Sequence, residues 1–529
     1  MCPLGLIQEP PDGRRIIPSL HPPFPQLVRQ RTALERVPVT QLIDKDAFLA
    51  AMACPTQGWY TLRASRGDLA PAAEWRFYVG NQIGRVARER LGKGALLLRS
   101  PVETALRATA EALADSANVL VFEVTFATDD FVARADAVRR TGDSWDLIEV
   151  KSGKLPADGN PDKAKPDYVD DLAFTTFLAE TSGLRIARCV LVLVRAEYRY
   201  GQPLDELLGE VDVTARVRSR AREFATAAPQ IAAALRSEAR PQPTLIVACK
   251  DCDFYETDCI GVGVRDPLFA LPRLSEKRFA QLRSYGRVSA LPEAVDLTDP
   301  QRRVAGVLRS GEPLIEPVGL KHLDTVIWPA YYLDFESVNP AIPWFPDVEP
   351  YEQMPFQFSI HVCGAPGDEP IHHEYLAPND GDWRRELASR LIEQLADYGS
   401  ILMYSPYERR MLNYLAAALP DLAPRLGALE ARLCDLEPVF KNGYCHPGFR
   451  GRTSIKETLP TMVRDLSYEN LAVRKGDDAA GLFALMRVGK YSVTECETHR
   501  RHLLAYCNLD TLAMLRLHQE LVKIRAGML

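Results

Sequence analysis

The stretch "FVARADAVRRTGDSWDLIEVKSG" (131–153) leaves the chain few conformational choices. Two alternating runs flank Gly142–Asp143, and a glycine leading a two-residue loop suits a type II′ hairpin. So short a turn fixes the register, because a one-residue slip would send every side chain to the wrong face. Asp136 then stands opposite Glu149, and Arg134 opposite Lys151. Alternation puts these four on one face and Ile148 and Val150 on the other. Directly opposed like charges destabilise a sheet, and a plain surface sheet would set a cation against each carboxylate. A divalent cation between Asp136 and Glu149 resolves the conflict. Hard oxygen donors suit Mg²⁺ or Mn²⁺, which keeps several waters and leaves room for a phosphate. Lys151 is placed to orient or activate an attacking water, and Glu123, in "NVLVFEVTF", to add a ligand or hold a metal-bound water. The bland alternative is a half-exposed polar sheet face.

A second acidic set lies downstream. In "YYLDFESVNP" (331–340), Leu333 and Phe335 point one way, while Asp334 and Glu336 share the other face about 7 Å apart. "ILMYSPYERRMLNYLA" (401–416) reads as a strand, a polar turn and a helix bearing Glu408. In "RRHLLAYCNLDTLAML" (500–515), Tyr506 and Asp510 are one helical turn apart on one face. These three segments resemble the motifs of DEDD exonucleases, which implies that the four carboxylates bind two divalent ions, one activating water and one stabilising the leaving 3′ oxygen, with Tyr506 positioning the water. Between the last two segments lie Asp435 and a basic, aromatic-bearing loop with Lys441, Tyr444, Arg450, Arg452 and Lys456. These can meet phosphates or stack on bases, although such loops are more often merely solvated. His446 alone does not make a ligand, and Arg216, Arg218, Arg220 and Arg222 read as surface charge.

"CKDCDFYETDC" supplies Cys249, Cys252 and Cys259, and Cys54 lies far upstream. Four such thiols can close a tetrahedral set around zinc or hold a [4Fe–4S] cluster, which chemistry alone does not separate. Cys189, Cys363, Cys434 and Cys507 are scattered and read as buried unligated thiols. The 11 cysteines in a chain whose start lacks the order of a secretory signal argue for reduced thiols or a metal site, and a cytoplasmic location is the default expectation.

With 529 residues, the chain exceeds what one core normally supports. A Pro-rich arm is expected over 1–39, an α/β domain over 40–262 and a connector of short helices without strands over 263–325. A second α/β domain is expected over 326–529. Helix is expected over about 68–116. No apolar run approaches the roughly 20 residues of a membrane span. The net charge of −6 means that nucleic-acid binding would rely on local patches or bound cations.

"RAD" followed by "EVKSG" resembles the Asp…Glu-x-Lys core of PD-(D/E)XK nucleases, specifically the RecB-type branch. That likeness implies a restriction-endonuclease-like fold and a further Asp on the next helix, here Asp171. Thr175 or Thr176 stands where the branch often carries Gln, and no upstream His is found. One Cys before the core and three after it resembles CRISPR-associated RecB-type nucleases and the AddB helicase–nuclease, which implies [4Fe–4S], with zinc as the alternative. Asp334, Glu336, Glu408 and the Tyr506–Asp510 helix resemble the motifs of an RNase H-like DEDD exonuclease, with Glu408 where most relatives have Asp. The order of features, over roughly 40–525, resembles a bacterial family joining the two. The expected activity is Mg²⁺- or Mn²⁺-dependent hydrolysis of DNA in repair or genome defence. An RNA-processing 3′–5′ exonuclease and a non-catalytic nucleic-acid-binding scaffold are the alternatives. No G-x4-G-K-[ST] loop is present, so unwinding would need a helicase partner.

Overall fold

Two sheets organise the chain, and both grow from the alternating runs. The computed structural model describes residues 41–527 except 65, 66, 68 and 99; the arm expected over 1–39 lies outside the described residues. The architecture is mixed α/β. The first sheet contains β1 (Ala95–Leu96), β2 (Leu120–Ala127), β3 (Val132–Thr141), β4 (Ser144–Lys154), β5 (Ile186–Val194) and β6 (Leu208–Asp212), in that spatial order. β3 and β4 pair from Ala137–Ile148 to Thr141–Ser144, the register the turn demands, with Gly142 at φ 60°. The ladder stops one step short of Asp136 and Glu149. β4 and β5 are parallel, and the crossover that parallel pairing requires is helix Pro166–Thr181. One sheet face packs on this helix and on Lys45–Ala53 and Thr214–Arg236, around Phe48, Phe131, Phe174 and Phe224. The other face packs on Ile83, Val86 and Ala87 of helix Pro71–Leu91.

The helix expected over 68–116 is instead two helices, Pro71–Leu91 and Val102–Ala114, with β1 between them. Gly92, at φ 102°, ends the first. Gly94 lets the chain pass Leu120, whose carbonyl oxygen would lie 2.6 Å from a Cβ there.

β7 (Leu314–Ile315) falls within the stretch expected to be strand-free. The second sheet comprises β8 (Ala330–Val338), β9 (Met354–Cys363), β10 (Ile371–Leu376), β11 (Ser400–Met403) and β12 (Leu433–Asp435), ordered β10-β9-β8-β11-β12. β13 (Tyr444–Cys445) pairs back on β7, so two residues each borrow ladder bonds from a distant segment that local sequence does not announce. Helix Val493–Ala526 opens with a reciprocal cap between Ser492 and Glu495 and packs across β8 and β9. The two sheet modules meet where Asp478 accepts the Ala72 N–H (3.2 Å), Gly481 lies against Pro71, and Arg199 pairs with Glu349 (2.6 Å).

Candidate metal centre

β8 is buried except at the half-buried Asp334, and its alternation turns Asp334 and Glu336 toward helix Val493–Ala526. That helix contributes Asp510. Each of the three offers a carboxylate oxygen, and these atoms lie within 4.8 Å of one another. Glu336 is 7% exposed and Asp510 6%. Glu408, in the first turn of helix Tyr407–Ala418 after β11, is 3% exposed, and its Oε2 has no hydrogen-bond partner. It interacts with the other three carboxylates through their charge but stands outside the close triad.

Burial first, and repulsion from Asp510 second, hold Asp334 and Glu336 well above the usual carboxylate range. Burial, joined by the charges of Asp435 and Asp510, pushes Glu408 up to about 8. Burial also raises Asp510, but only to about 6, because Tyr468, Lys456 and Tyr506 favour its ionised form. Tyr468 donates to Asp510 Oδ1 at 2.5 Å. Lys456 Nζ donates to Tyr506 Oη at 2.7 Å and to the Arg474 carbonyl at 2.9 Å. Cys507, read as a core thiol, lies in this site, its Sγ 3.5 Å from Asp334 Oδ2. Such carboxylates are costly to ionise in an apolar setting. An all-oxygen set of this kind fits a hard divalent cation.

The first acidic set is built differently. Glu123 adopts φ 59° between the Phe122–Ala137 and Val124–Ala135 pairs, a left-handed turn in mid-strand that is costly for a non-glycine residue. It faces β3 at the level of Asp136, with Arg88 Nη1 3.9 Å from its carboxylate. Asp136 Oδ2 accepts the Val150 N–H at 2.7 Å, and burial followed by repulsion from Glu149 raises Asp136 to about 7. Glu149, 4% exposed, meets Lys151 (2.9 Å) and Lys45 (3.5 Å) through Oε1, while its Oε2 is unpartnered. Asp171 pairs with Lys151 and, at 3.1 Å, with Lys45. Burial alone would lower the Lys151 pKa, but Glu149 and Asp171 raise it above the ordinary lysine value. Arg134 turns to Thr125 Oγ1. Thr175 and Thr176 bond back to the helix carbonyls of Asp171 and Leu172 and so do not serve the site.

Cys54, Cys249, Cys252 and Cys259 line one pocket with Tyr60, Phe254 and Tyr255, all four as free thiols. Cys54 sits at the joint of helices Lys45–Ala53 and Pro55–Arg63, which brings it to the distant three. Among the described residues, only the Asp334–Glu336–Asp510 group brings three ligand atoms within 4.8 Å, so no three of the thiols lie that close together.

Of the basic loop, Lys456 alone reaches the carboxylate cluster. Lys441, Arg450 and Arg452 pair with Glu437, Glu256 and Glu457, and Tyr444 is buried in β13. His446 Nδ1 accepts the Gly448 N–H, and Arg216, Arg218 and Arg220 bind backbone carbonyls or Asp170. Lys45 and Tyr468 escaped the reading of the sequence. Lys45 follows a helix cap and Tyr468 sits in a loop, and no spacing marks either.

A family model described as Domain of unknown function (DUF2779) matches residues 331–454. The match contains Asp334, Glu336 and Glu408 and ends before Tyr506 and Asp510. No curated protein and no solved structure matched.

Proposed function

We propose that the chain is a metal-dependent nuclease that trims DNA from the 3′ end at the Asp334–Glu336–Glu408–Asp510 cluster. The observation that carries this reading is the convergence of three carboxylate oxygens within 4.8 Å, from β8 and a distant helix, at a place where burial raises every one of their pKa values. Bound Mg²⁺ or Mn²⁺ would supply Lewis-acid stabilisation of charge on the phosphate and the leaving oxygen. Asp334, Glu336 and Asp510 would hold the ions, and Tyr506 would orient water. A five-stranded mixed sheet carrying the Asp-x-Glu pair on its central strand supports an RNase H-like module.

The row Glu123, Asp136 and Glu149 with Lys151 supports a second, restriction-endonuclease-like active site. Asp136 and Glu149 would hold its ion, and Lys151 would keep a proton near the attacked phosphate. The shared cysteine pocket supports a cluster that pins Cys54 to the 249–259 segment. Zinc at its usual Zn–S length would draw the sulfurs to about 3.8 Å apart. The order of one cysteine before the acidic row and three after it supports [4Fe–4S].

A digestion panel tests the activity. Labelled single- and double-stranded DNA and matched RNA are incubated with Mg²⁺, Mn²⁺ or EDTA, using wild type, Asp334→Ala and Lys151→Ala. Metal-dependent loss of 3′ nucleotides from DNA, abolished by Asp334→Ala, is expected. Cleavage of RNA alone would move the substrate to RNA, and tight binding without any cleavage would make the chain a scaffold. A brown protein absorbing near roughly 400 nm supports iron; a colourless protein containing zinc refutes it.

A further inference from the structure

Lys456 occupies an unusual position. It is the second residue of helix Ile455–Met462, and its ammonium lies 5.0 Å from the centre of the Tyr506 ring and 5.4 Å from that of Tyr468. Its charge is felt by Glu336 and Asp510, yet it forms no ion pair among the described residues. A lysine beside several buried carboxylates would ordinarily collapse onto one of them, as Lys151 does onto Glu149 in the other site. Here the Tyr506 hydroxyl and the Arg474 carbonyl take its N–H donors, and the Tyr468 ring lies 5.4 Å away.

Two consequences follow from this restraint. The carboxylate oxygens stay free for cations. The ammonium also stays available: of its three N–H donors, one goes to Tyr506 Oη and one to Arg474, leaving a third for an anion. Charge points the same way. Four carboxylates match two divalent cations, so a phosphodiester adds one negative charge to a neutral set, and Lys456 is the cation that balances it. Its bond to Tyr506 Oη occupies a lone pair of the phenol, so the phenol proton must point elsewhere. Tyr506 sits one helical turn from Asp510 and favours its ionised form, and Tyr468 donates to Asp510 Oδ1. Lys456 and Tyr468 thus both donate within the carboxylate site, one to Tyr506 and one to a proposed metal ligand.

We propose that Lys456 is a substrate-contacting residue of the carboxylate site, which binds the phosphate next to the scissile bond and sets the direction of the Tyr506 hydroxyl. The proposal rests on the nuclease reading above and adds a residue to it.

The test has a binding arm and a rate arm. In the Asp334→Asn background in EDTA, affinity for a fluorescent single-stranded DNA 10-mer is measured from 50 to 300 mM KCl, with Lys456 intact or changed to Met. Loss of one phosphate contact should flatten the log–log salt slope by about 0.7. An unchanged slope overturns the contact. In otherwise wild-type protein with Mn²⁺, Lys456→Met should lower kcat about a hundredfold or more, with Lys456→Arg recovering part of it. Lys456→Met/Tyr506→Phe should be little worse than either single variant, because the two act as one unit. Additive losses overturn the link to Tyr506. Wild type that never cleaves would refute the nuclease reading, while the salt slope would still decide whether Lys456 meets a phosphate. A protein merely misfolded by Lys456→Met would lose the Arg rescue and its thermal transition together, and that result also overturns the proposal.

Discussion

Replacing Asp510 with Asn should make the metal-free protein more stable. Asp510 is buried, and its pKa in the folded chain is about 6 against an ordinary 3.8. The difference of about two units means that ionising it in place costs roughly 3 kcal/mol relative to the unfolded chain. That cost is already net of help from Tyr468, Lys456 and Tyr506. Asn keeps an Oδ1 acceptor for Tyr468 and removes the charge that repels Asp334 and Glu336. For a cooperative unit of about 200 residues, this corresponds to a melting temperature higher by roughly 6–12 °C in EDTA at pH 8.

The sign follows from linkage. A carboxylate raised on folding costs nothing below its unfolded pKa. Stability then falls as pH rises from about 4 toward the folded value, and the full cost is present above it. The advantage of Asp510→Asn should therefore vanish near pH 4. Mn²⁺ closes most of the gap: at a hundredfold excess over Kd it stabilises wild type by about 2.7 kcal/mol, and the variant, lacking a ligand, gains less. Differential scanning fluorimetry at pH 4.5, 6 and 8, with EDTA or MnCl₂, reads all of this. A variant that melts lower than wild type in EDTA at pH 8, yet keeps the full Mn²⁺ shift, would refute the claim that these carboxylates are assembled for a cation.

Mn²⁺ binding should release protons and weaken as pH falls from 8 to 6, because Glu408 and Asp510 take up protons near about 8 and about 6; calorimetry in buffers of different ionisation enthalpy measures this, and a buffer-independent heat would contradict it. Lys151→Met should cut cleavage at the first site about a hundredfold or more while sparing 3′ trimming, scored on circular against linear DNA. Gly451→Ala forces a side chain at φ +73° and places a Cβ 1.7 Å from the Ala270 carbonyl oxygen. It should cost about 1–3 kcal/mol or more, seen as a lower urea midpoint with little change in metal affinity.

Much of the frame can be read from local pattern. The Gly142–Asp143 turn dictates the β3–β4 register because a two-residue loop leaves no slack. The alternation in β8 sets Asp334 and Glu336 on one face for the same reason that it buries Leu333 and Phe335 on the other. The four-residue spacing of Tyr506 and Asp510 fixes their common face once the segment is helical. These are short-range consequences of chain geometry, and sequence by itself determines them.

Which groups meet across long separations is another matter. Nothing local brings Lys456 to Tyr506, Tyr468 to Asp510, Lys45 to Asp171 or Cys54 to the 249–259 segment; packing of whole helices and loops does so. The two acidic sets also diverge in a way that composition hides. Lys45 and Lys151 close onto Glu149 and Asp171, whereas Lys456 donates to the Tyr506 hydroxyl and the Arg474 carbonyl. Sequence supplies the carboxylates in both cases. Only the tertiary structure decides whether a neighbouring cation neutralises them or leaves them open, because that depends on which acceptors packing brings within reach of the lysine.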